Sequence, residues 1–166
     1  MDVLLTRFLG LLIGETGYYQ ALLSVLQKEN KALVDSKLEE LNEAGKEKEN
    51  IILKIRILEE QRLGMLEKVA DSLGQPTKGL TLKKLSQLVE EPYSSQIKGC
   101  YSNLLTLTQS IEEINRTNRM LIMHSLELVR GTLSLLNNVA ASNPVYFRTG
   151  KIQNGDQSGN VISGQI

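Results

Sequence analysis

The stretch YSSQIKGCYSNLLTLTQSIEEINRTNRMLIMHSLELVRGTLSLLNNVAA, residues 93–141, decides the fold. Tyr93, Cys100, Leu107, Ile114, Leu121, Leu128 and Leu135 recur every seven residues. Ile97, Leu104, Ile111, Asn118, Ser125, Thr132 and Val139 form the complementary set. Two interleaved seven-residue repeats lie along one side of a slightly under-wound helix, the pattern of a left-handed coiled-coil seam. No proline falls between Pro92 and Pro144, and Gly99 and Gly131 are the only glycines of the stretch. At 1.5 Å per residue it predicts a helix of about 73 Å. Pro92 suits its start, because a missing N–H costs nothing in a first turn.

A seam this long needs neighbours, and the preceding sequence supplies them. Leu4, Leu5, Phe8, Leu11, Leu12, Tyr19, Leu22, Leu23, Leu26 and Leu33 step by threes and fours, as in a helix. Gly10, Gly14 and Gly17 weaken that helix or permit close packing. Asp35-Ser36 followed by Glu39 resembles a capping box and predicts the start of a second helix. That helix carries Leu38, Leu41, Ile51, Ile52, Ile55, Leu58, Met65, Leu66, Val69 and Leu73, with a solvated KEKE run at 46–49. Gly74 and Pro76 stop it. Thr81 to Glu90, with Leu82, Leu85, Leu88 and Val89, reads as a short helix. The expected fold is all-α: an elongated antiparallel helical bundle or coiled coil of three long helices plus one short helix. The first two long helices measure about 48 Å and 57 Å, so about 16–25 Å of the last apolar stripe has no intramolecular neighbour. The seam also turns polar at Asn118, Ser125 and Thr132, which predicts weaker packing and a restricted register there. An uncovered apolar helix face is the signature of a partner site.

Composition narrows the function classes. The chain has 166 residues, 19 basic and 19 acidic, one histidine, one cysteine and no tryptophan. Zero net charge argues against a nucleic-acid partner. One cysteine and one histidine cannot build a Cys-rich zinc site or an intramolecular disulfide. The longest apolar run near the N-terminus, Phe8 to Gly14, is too short to span a bilayer, so no stable membrane insertion is expected and the reading is cytoplasmic. No phosphate-cradling glycine loop, metal spacing or cofactor motif is present, and the expectation is a non-enzyme without cofactor. His124 is the one conventional general-base candidate and reads as a surface or boundary residue. Cys100 falls on the seam and reads as a small buried hydrophobe.

Four charged residues lie on apolar stripes. Glu15 and Glu29 have the same fourteen-residue separation as Lys48 and Arg62. One antiparallel register therefore brings Glu15 to Arg62 and Glu29 to Lys48, although a turn at Asp35 displaces each partner by several residues. These are expected to be structural ion pairs that fix orientation more than they stabilise.

From Ser142 to Ile166 the pattern collapses into SNPVYFRTGKIQNGDQSGNVISGQI, a polar and glycine-rich segment. The expected organisation is a helical domain over 1–141 and a mobile C-terminal tail over 142–166, with Val145-Tyr146-Phe147 as an apolar hook.

The order of several pieces resembles the FlgN family of flagellar export chaperones. They are Glu15, LLxxLxxE at 22–29, Ala32-Leu33, Lys48, Arg62, Leu73-Gly74, INRTNRMLI at 114–122 and PVYFRTG at 144–150. Phe147 departs from the family pattern, which has a small polar or acidic residue there. The resemblance implies a chaperone that binds the hook-associated proteins FlgK and FlgL, prevents their premature assembly and delivers them to the export gate protein FlhA. It implies cargo binding by the end of the last helix, here Leu121, Leu128, Val129, Leu135, Leu136 and Val139, and an export-gate contact at Tyr146. The alternatives are a structural homodimeric coiled-coil tether using the same stripe and a secretion chaperone for another helical cargo. Weak self-association is compatible with the chaperone reading.

Overall fold

The computed structural model describes residues 1–142, with side chains described through Val139. It contains α1 (Asp2–Val34), α2 (Leu38–Ser72), α3 (Leu82–Leu88) and α4 (Tyr93–Ser142), and no strand among the described residues. Two compact units are present, Met1–Ile122 and Met123–Ile166. The tail expected from position 142 lies outside the described residues, apart from Ser142 at the end of α4.

In the first unit α1 and α2 form an antiparallel hairpin. Its turn differs from the expected capping box. Ser36 adopts φ 56°, the N–H of Ser36 donates to Leu33 O at 3.3 Å, and that of Lys37 donates to Ala32 O at 2.9 Å. This is the Schellman arrangement that closes α1, with serine in the left-handed position where glycine is commoner. Asp35 is consequently the C-cap of α1, and α2 starts at Leu38 after Lys37 without a side-chain cap. The same motif ends α2 with its usual residue. Gly74 has φ 63°, its N–H donates to Asp71 O at 3.1 Å, and Gln75 N–H donates to Ala70 O at 3.0 Å. Thr81 then caps α3, its hydroxyl accepting from Lys84 N–H at 3.2 Å.

Two aliphatic clusters hold the unit together. One joins Leu5, Phe8, Leu9 and Leu12 of α1 to Leu66 and Val69 of α2, to Leu85 of α3 with its C-cap Val89, and to Ile97 of α4. The other joins Leu22, Val25 and Leu26 of α1 to Ala44, Ile51 and Ile55 of α2 and Ile111 of α4. Tyr93 meets Thr6 through their hydroxyls at 2.9 Å, while Ile111 packs with Leu22 and Leu26. Residue numbers thus rise together along α1 and α4, so α4 runs parallel to α1 over this part and antiparallel to α2. The short α3 and its flanking loops bring the chain back to permit it. Leu38 and Ile52, expected on the apolar stripe of α2, are exposed.

Candidate interaction site

Two ion pairs match the register of the hairpin. Arg62 Nε donates to Glu15 Oε2 at 2.7 Å, and Lys48 Nζ donates to Glu29 Oε1. Each basic partner lies five residues farther from Ser36 than its acid, an offset of about 7.5 Å along a helix. Helical side chains lean toward their own N-terminus. The α1 acids therefore lean away from the turn and the α2 bases lean toward it, so their tips meet across that offset. Burial pushes the Glu15 carboxyl above its ordinary pKa, against the lowering effect of the Arg62 charge. The exposed pair Lys28–Glu47, at 3.0 Å, adds little.

Asn118 corrects the expectation of weak packing at the first polar seam position. It is 2% exposed and fully engaged. Its Nδ2 donates to Leu26 O at 3.1 Å and to Glu29 Oε2 at 2.9 Å, and its Oδ1 accepts from Asn30 Nδ2 at 2.8 Å. Glu29 thereby receives α2 on one oxygen and α4 on the other. A polar residue so satisfied fixes register without leaving a buried group unpaired. The pairing of Glu29 with Lys48 was legible from spacing. The part played by Asn118 and Asn30 was not, since it depends on which residue of α4 arrives beside Leu26.

In the second unit the described side chains, Met123 to Val139, are all exposed. Of the residues expected to bind cargo, Leu128 is 60%, Val129 56%, Leu135 68%, Leu136 59% and Val139 61% exposed. Leu121 is half-buried and belongs to the first unit. Leu126 and Leu133, absent from that set, are equally open. Leucine and valine at this exposure over successive turns form a large apolar patch of the kind that marks an interaction surface. Tyr146 lies outside the described residues.

Conventional chemistry is sparse among the described residues. No group of three or more His, Cys, Asp or Glu is placed to hold a metal ion. His124 is exposed on α4. Cys100 packs half-buried against the first cluster, and burial pushes its thiol pKa up, away from the reactive thiolate. Among the described residues no helix is long and apolar enough to cross a membrane.

The family model described as FlgN protein matches residues 1–154. The chain belongs to the FlgN family. The match spans all four helices, so the hairpin, the Asn118 node and the exposed end of α4 are all FlgN territory. FlgN proteins are flagellar export chaperones, and that general role extends to this chain. No curated protein and no solved structure matches it.

Proposed function

We propose that this FlgN-family chaperone acts in the cytoplasm on the hook-associated proteins FlgK and FlgL and hands them to the export gate protein FlhA. The observation that supports the cargo reading is the exposed run of α4. Leu128, Val129, Leu135, Leu136 and Val139 offer an aliphatic face that no described residue covers. An amphipathic cargo helix laid on this face removes both apolar surfaces from water. Cargo so covered cannot use the same helix for assembly, which is the chaperone effect. Tyr146 is the residue proposed to meet the gate, by resemblance to the family.

The test is calorimetry of purified chain with purified FlgK or FlgL. Leu128→Asp is expected to weaken binding by tenfold or more, at about 1.4 kcal/mol per decade, with the thermal transition of the first unit unchanged. Equal affinity of variant and wild type overturns the cargo assignment. Tyr146→Ala is expected to spare cargo binding and weaken the complex with FlhA. A tight dimer at micromolar concentration that excludes cargo identifies the homodimeric tether instead.

A further inference from the structure

The apolar surface of the second unit is wider than one seam. In the first unit the seam positions of α4 are apolar except for Asn118, while the positions beside them are mostly polar, as at Lys98, Thr108, Glu112, Asn115 and Arg119, with Tyr101, Leu105 and Ile122 the apolar exceptions. In the second unit the equivalent neighbours are Leu126, Val129, Leu133 and Leu136, and they are 50%, 56%, 56% and 59% exposed. Their steps of three, four and three are those of a seam in its own right. Beside it runs the seam of Leu128, Leu135 and Val139. At roughly 100° per residue the arc from Leu128 to Leu126 spans about 160°. One packed helix covers a stripe of about 100°.

Charge is sparse along this stretch. Between Met120 and Ser142 the ionisable residues are His124, Glu127 and Arg130; Glu127 falls opposite both seams, while His124 lies one turn before Leu128 and Arg130 one turn after Leu126, at the two outer edges of the arc. Charged flanks usually select one coiled-coil partner and its direction. Here a single histidine borders one edge of the arc and a single arginine the other, so the matching surface is aliphatic between them.

We infer that this stretch is built for a pair of helices from the cargo, one on each seam, with α4 as the third member of a small bundle. The partner is thus an aliphatic helical hairpin, not a lone helix. This rests on the chaperone reading and specifies the cargo surface it requires.

The experiment uses the full chain with purified FlgK or FlgL and two double variants, Leu128→Gln/Leu135→Gln on one seam and Leu126→Gln/Leu133→Gln on the other. Glutamine keeps helix propensity close to that of leucine, and circular dichroism verifies that helix content is retained. Each double variant is expected to lose at least about tenfold in affinity. Hydrogen exchange on bound cargo is expected to show two separate protected helices. Wild-type affinity in the second variant, or a single protected cargo helix, overturns the two-helix inference and leaves the chaperone reading standing. A chain-only dimer dispersed by Leu126→Gln/Leu133→Gln, with cargo affinity unchanged, gives that seam to a second copy and also overturns it. Failure of the wild-type chain to bind either protein overturns both readings.

Discussion

Arg62 Nε reaches Glu15 Oε2 at 2.7 Å in the space between the two aliphatic clusters, with the side chains only 15% and 5% exposed. Breaking such a pair by removing one partner strands a buried charge, which costs about 3–5 kcal/mol. Arg62→Gln is expected near the lower end, because Glu15 can take up a proton. The folded pKa of Glu15 is raised by burial. A raised folded pKa gives stability that is complete below the unfolded pKa and is lost as pH rises through the folded pKa. Without Arg62 that folded pKa climbs further. Urea titrations at about pH 5 and about pH 8 are therefore expected to show a smaller penalty for Arg62→Gln at the lower pH. A penalty independent of pH removes Glu15 protonation from the account.

Asn118 bonds three groups of unlike chemistry on α1, and its substitutions should rank accordingly. Asn118→Ala leaves Glu29 Oε2 and the amide of Asn30 short of a partner, at about 2–3 kcal/mol. Asn118→Asp removes the donor and sets a second carboxylate against Glu29, so it should cost more at neutral pH. Thermal melts of both variants give the order directly.

The two helix ends with the same hydrogen-bond pattern make a matched experiment. Ser36→Gly is expected to raise stability by about 0.5–1 kcal/mol, since glycine adopts φ near 56° without the Cβ penalty. Gly74→Ala is expected to lower it by about 1–2 kcal/mol for the converse reason. Denaturant midpoints that move in the same direction for both variants contradict the shared geometry.

Gly10 and Gly64 are among the helix-interior glycines with room to spare. A Cβ at Gly10 or Gly64 meets no atom within 4 Å. Gly10→Ala and Gly64→Ala should each add about 0.5–1 kcal/mol through helix propensity alone. Loss of stability in either variant, measured by chemical denaturation, points to a backbone approach that the packing does not show.

Leu85 anchors α3 in the first cluster and is completely buried. Leu85→Ala is expected to cost about 2–5 kcal/mol. Because α3 links the hairpin to α4, hydrogen exchange should rise in α3 and at Ile97 as well. Protection unchanged outside α3 would show that the helix is held independently of the cluster.

Much of the fold was legible because periodicity is a direct physical signal. Ile97 and Ile111 are buried where the seven-residue repeat puts them, and Gly74 ends α2 where a left-handed residue was required. The turn at Ser36 was not legible as it stands. Asp-Ser-x-x-Glu serves equally as a cap for a following helix, and only the hydrogen bonds back to Leu33 and Ala32 reveal that it closes the preceding one. Asn118 read as a weak point, because its partners Leu26, Glu29 and Asn30 are distant in sequence. Leu126 and Leu133 were visible as apolar residues, but a repeat carried forward from Tyr93 follows a single stripe and leaves them on the one beside it.

The neutrality of the exposed end of α4 has a thermodynamic consequence. Complex formation there should depend little on ionic strength, since few charges are present to be screened. Its signature should be a large negative heat-capacity change, the mark of apolar surface leaving water. Affinity should accordingly weaken on cooling and strengthen in sulfate. A capture surface of this kind holds its client by solvent exclusion, and can release it by competition for the same surface without any change in charge.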